Sequence, residues 1–155
     1  MDRDLVIASR AMSHPDAVAL TAAMTTEVSA LYGTKPGRNR LDPRQFTPPT
    51  GGFLVAYLGE RAVACAGFRH VDEGLAQMHR VFVAPDLRGH GLSRRLLTRL
   101  EELAASAGYR TMQLETGVRQ PAATRLYVGL GYEAVPCFPP FDDDPNSRCY
   151  AKRIG

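Results

Sequence analysis

Residues 81–94 constrain the fold more than any other stretch of the chain. They read Val-Phe-Val-Ala-Pro-Asp-Leu-Arg-Gly-His-Gly-Leu-Ser-Arg: a strand ends before a proline, two glycines follow, and an amphipathic helix starts at once. Gly89 and Gly91 let the backbone approach a ligand closely, and the first N–H groups of the helix lack intrahelical acceptors. The helix dipole adds partial positive charge there, and Arg88, Arg94 and Arg95 add whole charges. Such a terminus can cradle a pyrophosphate. It is not a P-loop, because no Gly-Lys-Ser/Thr follows, and the dinucleotide pattern Gly-x-Gly-x-x-Gly is not completed. The competing reading is a glycine-rich cap with solvated arginines.

The elements on either side follow from hydrophobic period. Residues 5–11 suggest a strand, and Ser13 with Asp16 suggests a capping box opening a helix. Ala17, Leu20, Met24, Val28 and Leu31 would form its apolar face, with a stop near Gly33. Residues 33–51 carry three Gly and four Pro and read as a long loop, with one helical turn around Pro43–Phe46. Strands are expected at Gly52–Leu58, Ala62–His70 and Leu75–Val83, joined by turns short enough for antiparallel hairpins. Then come a helix from about Gly91 to Ala107, buried through Leu92, Leu96, Leu100, Leu103 and Ala107, and a strand at Thr111–Thr116. A helix at Pro121–Leu130 and strands at Tyr132–Phe138 and Arg148–Ile154 complete the chain. This order implies one α/β domain over residues 1–155, its mixed sheet partly antiparallel and partly parallel, flanked by helices.

Composition narrows the class. A 155-residue chain that is 45% hydrophobic can bury a core without staples, and it is neither disordered nor fibrous. No apolar run is long enough to span a membrane, and the charged N-terminus is unlike a secretory signal. The net charge of +3 comes with scattered arginines and no interleaved aromatics, so neither nucleic acid nor a membrane is expected as a partner. Seventeen Arg against two Lys suggest a GC-rich bacterial source. Cys65, Cys137 and Cys149 show no metal spacing and read as reduced thiols of a cytoplasmic protein.

The segment Arg88-Gly-His-Gly-Leu-Ser93 resembles the Arg/Gln-x-x-Gly-x-Gly/Ala motif of the GNAT superfamily of acyl-CoA N-acyltransferases. Residues Leu114-Glu-Thr-Gly-Val-Arg-Gln-Pro-Ala-Ala-Thr-Arg-Leu-Tyr-Val-Gly-Leu-Gly-Tyr132 are similar to its second signature, Asn-x-x-Ala-x-x-Leu-Tyr-x-x-x-Gly-Phe/Tyr. The resemblance covers about residues 5–154, is strongest over 78–132 and weakest over 1–50. Ser93 stands where the family prefers Gly or Ala, and Gln120 where it has Asn; both are compatible with the cofactor. The resemblance implies a GNAT-like sheet whose fourth and fifth strands splay, with acetyl-CoA between them. Val81, Phe82 and Val83 would border the pantetheine arm. Arg88, Gly89, His90, Gly91, Leu92, Ser93 and Arg94 would hold the pyrophosphate, with Gln120 and Thr124 nearby.

The implied activity is N-acetyl transfer to a small-molecule or peptide amine by direct attack in a ternary complex. Tyr127 stands where the family's phenol protonates the departing CoA sulfur. The family often places a Glu where this chain has Gln77, which can only orient substrate or water. His79, two residues on along the strand, is the first candidate for general base, and Glu115 the second, with His70 and water as further choices. Tyr32, Phe46 and Phe141, with Gln77, are candidate substrate-binding residues. Asp142-Asp143-Asp144 either attracts a cationic amine or is a solvated loop tip. No metal is expected, a homodimer is left open, and the alternative function is a non-catalytic acyl-CoA-binding module.

Overall fold

The computed structural model describes residues 4–33 and 41–155. The strands are β1 (Leu5–Ser9), β2 (Gly52–Leu58), β3 (Arg61–Asp72), β4 (Leu75–Val83), β5 (Thr111–Gly117), β6 (Glu133–Val135) and β7 (Ser147–Arg153). The helices are α1 (Pro15–Tyr32), α2 (Leu92–Ser106) and α3 (Pro121–Gly129). A short 3₁₀ turn at Pro43–Phe46 stands where the sequence suggests one; residues 34–40 of that loop lie outside the described part.

All seven strands form one sheet in the order β1-β2-β3-β4-β5-β7-β6. The first four pair antiparallel, as their short turns require, and β4 meets β5 in parallel through the crossover helix α2. On one face α2 seats Leu92, Leu96, Leu97 and Leu100 against Ala64, Phe68, Met78, Met112 and Leu114. On the other face Ala17 and Leu20 of α1 join Phe46, Phe53, Val55, Cys65 and Phe82.

Several local expectations need correction. The N-cap of α1 is His14, whose Nδ1 accepts from the Asp16 amide; the Asp16 carboxylate instead accepts from the Tyr57 hydroxyl of β2 at 2.6 Å. Only Ala17 and Leu20 of the α1 stripe are buried, and Leu31 is 43% exposed. In α2, Leu97 and Ala104 join the buried face while Ala107 is exposed beyond the last turn. The thiol expectation also fails in part: Cys137 and Cys149 form a disulfide between the segment after β6 and β7. Cys65 is the free, buried cysteine, its pKa pushed up by burial to about 12.

The splay is where the parallel pair stops. β4 and β5 pair only at Leu75↔Thr111, Ala76↔Met112 and Gln77↔Gln113, after which β4 stays with β3 and β5 with β7. A bulge marks the divergence. Cys65↔Phe82 and Gly67↔His79 flank one extra residue in β4, and Arg80 there takes φ +60, in the left-handed region. The Cys65 thiol donates to the Arg80 carbonyl at this point.

Candidate active site

The bulge reverses side-chain parity. Gln77 and His79 face α1, yet Phe82 joins that same face, whereas Val81 and Val83 turn toward α2. Regular alternation would have put Val81 with His79. The backbone of this stretch is the edge that faces the open splay.

At the far end of β4, Gly91 is the N-cap of α2 with φ +77 and no side-chain cap. The first intrahelical bond is Arg95 N–H to the Gly91 carbonyl, so the amides of Leu92, Ser93 and Arg94 precede the helical ladder. Gly89 (φ +84), His90 and Gly91 are exposed, and a Cβ at either glycine would meet nothing within 4 Å. Open space above uncapped amides at a strand edge fits a pyrophosphate. Two of the arginines assigned to it are otherwise engaged. Arg88 donates from Nη2 to both Glu27 carboxylate oxygens (2.9 and 3.0 Å) and from Nε to the Val83 carbonyl, and lies over the Phe82 ring. Arg94 donates to the Gly129 carbonyl, tying α2 to α3.

Gln120 is the N-cap of α3, and Thr124 lies one turn on, half-buried. Tyr127 on the same helix is 6% exposed and packs edge-on against Tyr132. Its hydroxyl makes no hydrogen bond among the described residues. Burial first, then the Glu115 charge, raises its pKa, so the phenol keeps its proton. Glu115 on β5 accepts from the Ser147 hydroxyl at 2.7 Å through Oε2. Burial raises its pKa, the Ser147 bond opposes that, and Asp144 adds to it.

His79 does not offer the accepting nitrogen that strand alternation suggested. Its Nε2 accepts from Arg69 Nε at 3.1 Å, and its ring packs edge-on against Phe46. Burial, then the charges of Arg69 and Arg80, lowers its pKa to about 3. His70 is elsewhere, with Nδ1 3.0 Å from the Tyr109 hydroxyl. Gln77 is 3% exposed, and its Oε1 accepts from Arg69 Nη2. Arg69 is the residue that the sequence reading missed; only its register position opposite Gln77 could have drawn attention to it.

The apolar candidates separate. Phe46 is 1% exposed and belongs to the core. Tyr32 lies over Gly117, where a Cβ would fall on its hydroxyl, and that oxygen accepts from the Arg119 amide. Phe141 lines a cavity of about 310 Å³ with Asp142, Asp144, Ser147 and the Cys137–Cys149 pair. Asp144 there accepts from the Asn146 amide, as a turn residue does. Among the described residues no group of side chains suits a metal ion, and no helix is long and apolar enough to cross a membrane.

A sheet opened between two parallel strands, with an uncapped helix terminus at one edge and a buried, protonated phenol on α3, suits an acyltransferase that uses an extended thioester donor. Residues 19–132 match the acetyltransferase (GNAT) family. The chain belongs to that family, and acetyl-CoA is its acetyl donor. It is 35% identical over 115 residues to an IAA acetyltransferase of Azospirillum brasilense, covering 74% of this chain and 75% of that one. An L-amino acid N-acyltransferase of Escherichia coli is 38% identical over 66 residues, 43% of this chain and 36% of that one. A crystal structure described as an acyl-CoA N-acyltransferase from Klebsiella pneumoniae superposes with a TM-score of 0.83 at 30% identity, covering 97% of this chain and 98% of its own.

Proposed function

We propose that the protein moves the acetyl group of acetyl-CoA to an amine by direct attack in a ternary complex, with Glu115 as base and Tyr127 as acid. The two relatives differ in the acceptor that their names carry, so membership of the family leaves the acceptor open. Acetyl-CoA supplies the activated carbonyl. The amides of residues 92–94 hold its pyrophosphate, and the open β4 edge receives the pantetheine arm.

The observation that carries this reading is the pairing of two oppositely poised groups at the splay. Tyr127 has a proton that its surroundings retain and a hydroxyl with no partner among the described residues, suited to donate to a departing sulfur. Glu115 has one oxygen fixed by Ser147 and the other without a bond among the described residues, suited to take a proton from an ammonium. Burial moves its pKa toward neutrality, which makes it a stronger base once ionised. His79 is set aside for this role because its lone pair is already bound by Arg69. Belonging to an acetyltransferase family also displaces the non-catalytic binding module.

The test is release of free CoA thiol from acetyl-CoA across a panel of amines. Tyr127→Phe should lower turnover by roughly 10²–10⁴. Glu115→Gln should lower it and abolish the acidic limb of the pH profile, while His79→Gln should keep that limb. Wild-type turnover in Tyr127→Phe, with chemistry limiting, would remove the acid from the scheme.

A further inference from the structure

Arg69 is held in an unusual way. It lies on β3 opposite Gln77 and on the same face as Gln77, Gln113 and Glu115. Its Nε donates to His79 Nε2 at 3.1 Å and its Nη2 to Gln77 Oε1 at 3.2 Å. Both acceptors are neutral, and among the described residues no carboxylate stands within ion-pair distance of it. Arg44, Arg61 and Arg88, by contrast, each meet a carboxylate. A guanidinium has five N–H donors, and here two are used. The second N–H of Nη2 and both of Nη1 make no hydrogen bond among the described residues, and one from each nitrogen can meet a carboxylate in two-pronged fashion.

A solvated surface arginine would not need a buried glutamine and a half-buried histidine to set its plane. Here Gln77 is 3% exposed, and His79 gives up its accepting nitrogen to this contact. The site thus has a fixed cation on β3 and, two strands away on β5, the Glu115 carboxylate. Two strand spacings, roughly 10 Å, separate the backbone of Arg69 from that of Gln113, and Glu115 lies two residues, roughly 7 Å, farther along β5, beyond the last β4–β5 pair. Both side chains project from the same face of the sheet. A molecule with an ammonium at one end and a carboxylate at the other complements that pair of charges.

We propose that Arg69 binds the carboxylate of the acceptor, so that the protein's acceptors are amino acids, with the amine turned toward Glu115 and the splay. This rests on the acetyltransferase reading of the site and adds the acceptor's chemical class to it.

The experiment compares the standard L-amino acids with their primary carboxamides, first by steady-state acetyl transfer and then by calorimetric titration into the CoA-bound protein. Wild-type kcat/KM should favour the acid over its amide by on the order of 10–100-fold, the worth of hydrogen bonds to a charged group. Arg69→Gln should bring that ratio close to one, through KM for the acid more than through kcat. Arg69→Lys, which keeps the charge but not the planar edge, should fall between. CoA titration of each variant verifies that it is folded. Equal use of acid and amide, or a ratio that Arg69→Gln leaves untouched, would overturn the assignment while the acetyltransferase reading stands. If no amine were acetylated but amino acids still bound the CoA complex in an Arg69-dependent way, the carboxylate site would stand and the proposed reaction would fall. Neither transfer nor Arg69-dependent binding would overturn both.

Discussion

His79 shows how far a residue's surroundings can override its type. Its pKa is lowered from 6.5 to about 3, so the folded protein holds it neutral where the unfolded chain protonates. The stability it contributes is full above pH 6.5 and is lost as pH falls toward 3, by roughly 1.4 kcal/mol per pH unit within that window. Chemical denaturation followed from pH 7 to pH 4 should therefore show a steep loss, shallower in His79→Gln. An equal slope in the two proteins would mean that His79 is charged in the fold. Gly117 is constrained by contact rather than by its dihedral angle. A Cβ there collides with the Tyr32 hydroxyl, so Gly117→Ala should cost about 1–3 kcal/mol by displacing Tyr32. Most of that cost should vanish in the Tyr32→Ala background, since the two side chains then no longer compete.

At the scale of elements, the start of α2 makes the sharpest test. Gly91→Ala forces a left-handed φ on a residue with a Cβ and adds a methyl above the uncapped amides. Gly108→Ala, where φ is +102 and no atom lies within 4 Å, carries a comparable backbone cost just beyond the other end of the helix. Both should lose about 1–2 kcal/mol of stability, but only Gly91→Ala should lose CoA affinity by calorimetry. The Cys137–Cys149 bond closes a loop with a sequence separation of 12, carrying Phe141 and Asp144 beside Ser147. Reduction should lower stability by about 3 kcal/mol. Thiol titration of the native protein before reduction should find Cys65 alone, and slowly, because it is buried. Three rapidly reacting thiols would contradict the bond.

For the whole molecule, the donor should behave as a stabilising ligand of one cooperative domain. CoA at 100 times its dissociation constant should add about 2.7 kcal/mol to unfolding free energy. The helix α1 is fastened to the same body. Glu27 holds Arg88 just ahead of α2, and Tyr32 and Arg119 hold the helix end against the start of the β5–α3 turn. Glu101, 8% exposed, fastens α2 to the last strands by accepting from Tyr132 at 2.7 Å and Lys152 at 2.8 Å. The sheet and its helices thus form one body around the splay.

Features with a local cause were legible in the sequence. Hydrophobic period and turn residues place β2 and β4 at the expected bounds and α2 within a residue or so, and two dispersed motifs name the family. The Gly89–Gly91 turn and the uncapped start of α2 are legible because φ and capping depend on neighbouring residues. Tertiary structure decided what depends on partners far along the chain. The bulge at Arg80 broke strand parity, and Arg69, ten residues before His79, occupied the nitrogen that a base would need. Glu27 claimed Arg88 from the other side of the sheet, and Cys149 met Cys137 through a turn whose course no periodicity encodes. Period and propensity act over a few residues. A lone pair's availability and a carboxylate's pKa are set by which side chains the fold brings within hydrogen-bond reach.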